Sequence, residues 1–452
     1  MSAEEHQASH RTRLAKLWIP STTEVGPGTA AGPERRPDTS SPVGAHARST
    51  AVSPAPIFCS AGSFASSSLY LLRYEREARR LEVVRSVPGH GPHQYLYIDR
   101  PRHRLYATSW SEPARLSAWS ILSEQPGGPP RLALVNQAPI TAVSSYISSK
   151  HGLLLSVGGP TGEIHSLDPL TGAIGEKRQE LLFVARDALE NEDKSRKALR
   201  NGSHAIEVSS LDQVFVPHLG HNSIWMYKFD VQKKTLEFSA EVKSLHAEDG
   251  PRHAVISEDG ERLYVVTEHS EFTLTAKEKK TYSEILLGPC AAKQTNRQAS
   301  RVDLYQVSST GLVHQASSSI LDPPHEHLQY RGDTVRIVPA SLVDLPHEYV
   351  FATTRGIDPS RPGLLAVFEY NTDTQTLSNL LRWETPTSGG KANAIELSHV
   401  RTGRNVLELV LTDDQLGALS IVQCDLDTLQ VQVVSSCLID EIGVGASHAV
   451  WI

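Results

Sequence analysis

Ser447-His448-Ala449-Val450-Trp451-Ile452 reads as an apolar strand with a polar residue at its mouth, after which the sequence stops. It resembles Ser203-His204-Ala205-Ile206, where a similar opening leads into a full set of strands. The partners that the terminal strand lacks are at the other end of the chain, in Ile57 to Ala61, Leu69 to Tyr74 and Leu81 to Val87. Pairing the last strand with these closes a ring and leaves no exposed sheet edge.

The unit behind this reading recurs along the chain. It is clearest in Gln94-Tyr95-Leu96-Tyr97-Ile98, a turn over Asp99 to His103, Arg104 to Thr108, and then Leu116 to Ile121. Unit starts fall near His93, Thr141, His204, His253, Asp333, Asn393 and His448, at gaps of roughly 50 to 80 residues. Seven starts predict an all-β, seven-bladed β-propeller over residues 55–452, closed by the C-terminal strand. Two stretches depart from the unit. Glu180 to Arg200 has apolar residues at helical spacing and reads as a helical insertion; Thr273 to Arg301, rich in lysine, reads as a loop insertion. Long insertions sit at the faces of a propeller, where they can cover a cavity or meet another subunit of a homo-oligomer.

Residues 1–54 are rich in Ser, Thr, Pro, Gly, Ala and charge, and read as a disordered tail that cannot bury enough apolar surface to offset its ordering entropy. Hydrophobic residues make up 39% of the full sequence, enough for most of the chain beyond the tail to bury a core. A net charge of −7 argues against a nucleic-acid partner. No run approaches the roughly 18 to 20 apolar residues of a membrane span, and the N-terminus lacks a signal peptide's apolar core. Arg11, Arg13 and Lys16 suit a mitochondrial presequence, but Glu4 and Glu5 weigh against one, so the cytoplasm is the expected compartment. Cys59, Cys290, Cys424 and Cys437 are far apart, as reduced buried thiols would be.

Three segments place polar groups beside strand-like runs: Asn201 to His204, Gly250 to His253 and Tyr330 to Asp333. Glu268 follows the strand Arg262 to Thr267. If these converge, His204, Glu268, Arg252 and Arg331 face one cavity. Such a set suits a small carboxylate: guanidinium forks bind carboxylates, a histidine moves protons near neutrality, and an enclosed carboxyl can act as acid or base. Singly, each reads first as structural. His218, His221 and the cluster His325-Glu326-His327 invite a metal reading but lack ligand spacing and read as loop residues. Asp413-Asp414-Gln415 lacks the downstream ligands of a calcium loop, and Ser388-Gly389-Gly390-Lys391 lacks P-loop spacing and reads as a tight turn.

Ser203-His204, Pro251-Arg252, Leu263-Tyr264 leading to Glu268, and Tyr330 to Val335 together resemble the eukaryotic-type 3-carboxy-cis,cis-muconate cyclases, lactonizing enzymes among the lactonase-like seven-bladed propellers. Val350 to Arg355, Pro386 to Gly390 with Asn393-Ala394, Thr412 to Gln415, and Gly443 to Gly445 with Ala449 to Trp451 extend the similarity to the C-terminus. The tail and both insertions depart from the family. The resemblance implies a cycloisomerase of aromatic-acid breakdown in the β-ketoadipate pathway, working without cofactor or metal. It also implies catalytic roles for His204, Glu268, Arg252 and Arg331, with His204 favoured as the acid and Glu268 orienting it or sharing the proton. Two other functions fit the same fold: a lactone hydrolase of the 6-phosphogluconolactonase-like type, and a non-catalytic binding platform.

Overall fold

Middle strands such as Leu153–Gly158 are buried along their whole length, whereas outer strands such as Thr376–Glu384 bury little beyond Leu377. A strand enclosed on both faces needs a neighbouring sheet on each side, and a radial stack of sheets provides that. The computed structural model describes residues 56–195, 202–247, 249–268, 300–322, 329–439 and 445–452. In it, seven four-stranded antiparallel sheets form the blades of a propeller, and residues Ser53–Ile452 make one compact unit. The tail expected over residues 1–54 lies outside the described residues.

The ring closes as the sequence predicts. Ala449–Trp451 is the inner strand of the first blade and pairs antiparallel with Ile57–Ala61, with Cys59 opposite Trp451. Ser68–Glu75 and Arg80–Pro88 complete that blade. The inner strands of blades two to seven are Leu96–Asp99, Tyr146–Lys150, Glu207–Val208, Pro251–Ile256, Tyr330–Ile337 and Ile395–Leu397. All seven predicted starts fall within a few residues of these strands. Thr141 is the furthest off: its backbone N–H binds Glu163, and the strand begins at Tyr146.

The core is divided in the same way. Seven apolar clusters each join residues of two adjacent blades, one cluster per seam. Trp451 fills the closing seam. It is fully buried, and its indole N–H donates to the Glu396 carbonyl at 3.0 Å.

The Glu180 to Arg200 segment is not an α-helix in its described part. Leu181 and Phe183 are buried and Leu182 is not, so the burial period is two; the segment continues the strand Ile174–Leu182 and then forms a single 3-10 turn, Leu189–Asn191. Of the second insertion, residues 273–299 lie outside the described residues. Arg301 belongs to the fifth blade, buried between Asp249 and Asp303 with nitrogen–oxygen contacts of 2.6 Å to each.

Candidate active site

The seam between the fifth and sixth blades carries two irregularities. The pairing of Pro251–Ile256 with Arg262–Thr267 slips between Pro251 and His253, which leaves Arg252 on a bulge. The pairing of Tyr330–Ile337 with Glu348–Gly356 slips between Gly332 and Val335, across Asp333 and Thr334. A bulge adds a residue without a partner and re-aims its side chain. Here Arg252 and Asp333 turn towards each other and meet at 2.5 Å.

Glu268 follows the second strand of the fifth blade, its N–H bound to the Gly250 carbonyl at 2.7 Å. Its carboxylate is buried and shared among three guanidiniums: Arg355 at 2.6 Å, Arg252 at 2.7 Å and Arg331 at 3.8 Å. Burial alone would raise its pKa. The charges of Arg355, Arg252 and Arg331 outweigh that and hold it below the usual carboxylate range. Glu268 is therefore an ionised counter-ion. Asp333 joins the cluster: its other oxygen accepts the Asn393 N–H at 2.6 Å, and Arg355 lies 3.8 Å away. Three guanidiniums around two carboxylates leave one formal positive charge. Arg331 is the arginine open to solvent, with 30% of its side chain exposed.

His204 is buried just before the inner strand of the fourth blade, its N–H bound to the Pro217 carbonyl at 3.1 Å. It lines, with Arg252 and Asp333, a hub cavity of about 30 Å³. Of the four residues expected from sequence, His204 and Arg252 thus share the cavity wall. Glu268 and Arg331 do not line the cavity; they join Arg252 in the ion cluster.

A partition closes the cavity below. The Tyr95 ring stacks between Tyr146, at 3.9 Å, and His448, at 4.1 Å. Arg336 lies 2.8 Å from His253 Nε2, donates to the Tyr95 hydroxyl at 3.2 Å and pairs with Glu396 at 2.7 Å. Burial, reinforced by Arg336, holds His253 and His448 well below the usual histidine range, so both are neutral.

Sequence reasoning missed Asp333 and Arg355 as members of the cluster, although both stand in segments carrying the family resemblance. The available signal was an acidic residue two positions after Arg331 and an arginine at the end of the next strand. His218 is not a loop residue: it ends the strand Gln213–His218 and accepts the His221 N–H at 3.0 Å, their rings stacked at 4.0 Å. His325, Glu326, His327 and Cys290 lie outside the described residues. Among the described residues no group of three His, Cys, Asp or Glu side chains is placed to hold a metal ion, and no helix is long and apolar enough to cross a membrane. Gly389 and Gly390, both at positive φ, form the expected tight turn.

A closed seven-bladed ring with an ion cluster at its hub defines an all-β propeller with a polar central site. The chain belongs to the lactonase family of seven-bladed β-propellers, whose model matches residues 58–285. It is 26% identical over 382 residues to muconate cycloisomerase 1 of Cutaneotrichosporon cutaneum, an alignment covering 82% of this chain and 91% of that one. Among solved structures, a 6-phosphogluconolactonase homologue from Bacteroides uniformis superposes with a TM-score of 0.64 at 14% identity, covering 88% of this chain and all of the other. The periplasmic gluconolactonase of Pseudomonas aeruginosa superposes with a TM-score of 0.65, also at 14% identity, covering 88% of this chain and 99% of its own. At that identity these two structures share the fold.

Proposed function

We propose that the chain is a cycloisomerase closing a muconate, such as 3-carboxy-cis,cis-muconate, to a muconolactone. The observation that carries this reading is Arg252, which shares the hub wall with His204 and is tied through Glu268 to Arg331 and Arg355 in a net-positive cluster. The named muconate cycloisomerase among the relatives supports it.

The nucleophile in such a reaction belongs to the substrate, so the protein needs neither serine nor cysteine to supply it. A substrate carboxylate oxygen bonds to one end of a conjugated double bond, and the π pair moves to the neighbouring carbon and into the attached carboxyl group as an enediolate. That carbon then takes a proton, giving a net uptake of one proton per turnover. The guanidiniums hold the substrate carboxylates and stabilise the enediolate charge. His204 donates the proton, a contribution of about 10²- to 10⁴-fold; Glu268, held ionised by its arginines, is the anchor of Arg252 and not the acid. A hub cavity of about 30 Å³ has room for water but not for a dicarboxylic acid. The substrate's seat is therefore the mouth beside Arg331.

The assay is loss of the diene's ultraviolet absorbance. Arg252→Ala and Arg331→Ala are expected to lower turnover by about 10²-fold or more, and unchanged turnover in both would refute the assignment. Ring opening of a lactone with no ring closure from a muconate would replace it with a hydrolase.

A further inference from the structure

The hub partition has a second side. Beneath it, at the opposite mouth of the channel, lies a cavity of about 290 Å³, far larger than the one beside His204. Tyr95 and Tyr146 belong to both walls, whereas Arg100, Glu207, Arg336 and Glu396 line only the larger one. Its remaining wall is mostly aliphatic, from the inner strands. An apolar cavity with a few converging polar groups is the ordinary form of a small-molecule site.

The charges there are unevenly satisfied. Arg336 is paired with Glu396. Glu207 accepts a short hydrogen bond from the Tyr146 hydroxyl, whose oxygen lies 2.9 Å from His253 Nε2. The half-buried side chain of Arg100 at the rim makes no hydrogen bond or ion pair, and desolvation lowers its pKa despite the nearby charge of Glu396. The buried Ser148 hydroxyl on the same wall also has no partner. A partly desolvated cation that makes no direct ion pair gains from an anion brought beside it.

We propose that this opposite-mouth cavity is a second binding site, taking a small carboxylate whose charge pairs with Arg100 and which sits beside the Glu207–Tyr146 hydrogen bond. The site is independent of the muconate reading. Burial raises Glu207 to about 7, with Glu396 adding to the rise and the Tyr146 hydrogen bond and Arg336 opposing it. The other titratable groups around it are Tyr95 and Tyr97, whose hydroxyls stay protonated at neutral pH. His399, which faces Arg100, is held below its usual range by burial and by that arginine, so it is neutral near pH 7. A bound anion disfavours ionisation of Glu207. Affinity is therefore highest below about pH 7 and falls as pH rises through it.

The test is calorimetric titration of the full chain with succinate, in two buffers of different ionisation heat, with 1,4-butanediol as the uncharged control. Proton uptake on binding, affinity that falls above about pH 7, and no binding of the diol are expected. Arg100→Gln, which breaks no side-chain hydrogen bond or ion pair, should weaken binding at least about tenfold. Glu207→Gln, which still accepts from Tyr146, should bind but lose the pH dependence. Absence of succinate binding, or full affinity in Arg100→Gln, would overturn the proposal. So would loss of binding in Arg252→Ala with none in Arg100→Gln, which would put the anion at the His204 side instead.

Discussion

Replacing Glu268 with Gln tests the electrostatic account of the hub most directly. The side chain keeps its size and one carbonyl acceptor but loses its charge, leaving Arg252, Arg331 and Arg355 with Asp333 as their only carboxylate in the cluster. Removing one partner of a buried ion pair costs about 3–5 kcal/mol. Arg331 is partly exposed and screened, and the amide oxygen still accepts a bond, so about 2–4 kcal/mol is expected. The pH dependence has a definite sign. Because the folded state holds Glu268 below its unfolded pKa, its contribution is complete above that unfolded value, about 4.3, and is lost as pH falls through the folded value. Denaturant midpoints of the wild type and Glu268→Gln should therefore be well separated at pH 7 and converge as the solution is made more acidic than about pH 4. A gap of equal size at both ends, or no gap at pH 7, would refute the reasoning. Turnover should also fall, because Arg252 loses its anchor.

Two further substitutions probe the frame that holds the cluster. A Cβ on Gly332 would lie 2.1 Å from the Thr267 carbonyl oxygen, so Gly332→Ala must push the inner strand of the sixth blade away from the fifth. A loss of about 1–3 kcal/mol is expected, with a weakened Arg331 and Arg252 site, measured as unfolding midpoint and KM; a silent substitution would mean the seam is looser than described. Trp451→Ala empties the closing seam and should cost about 3–5 kcal/mol in chemical denaturation, against a few tenths for a surface tryptophan control. A cost that small at Trp451 would mean that the terminal strand does not close the ring.

The fold was legible because each blade repeats a local signal. Polar strand mouths, turn residues and alternating apolar runs recur, and the orphan strand at Ser447 to Ile452 could be matched to orphan partners at Ile57 to Val87. The segment after Glu180 misled because Leu182, Val184, Ala185, Ala188 and Leu189 are spaced as on a helix, while the buried pair is Leu181 and Phe183. Over so few residues, periods of two and 3.6 compete, and tertiary burial decides between them. The site was legible only in part. Arg252 and Arg331 stand beside strands, where an inward aim is readable. Their attachment to Glu268, Asp333 and Arg355 depends on two bulges, and a bulge is a property of the pairing of two strands that neither sequence announces alone.

The seam between the fifth and sixth blades is set apart in one respect. Every blade slips register between its two outer strands, but among the described residues only these two blades also slip between their two inner ones. Arg331 and Arg355 are direct cross-strand partners, and like charges so placed repel. Both bulges lie within it, as do Gly332 and Gly250; Gly250 has a φ of +60°, and a Cβ there would lie 2.2 Å from the Glu268 carbonyl. The bulges also bring Arg252 onto Asp333 across the seam, and Glu268 binds Arg355 across it, so the same ion pairs tie the two blades together. Glu268 and Asp333 hold the repelling arginines together but leave one charge unmatched, with Arg331 open to solvent. Locally unfavourable choices persist in a fold when they are maintained for something other than stability. An arrangement that gathers cations, neutralises most of them and leaves one partly open to solvent suits the binding of an anion as well as the joining of two blades.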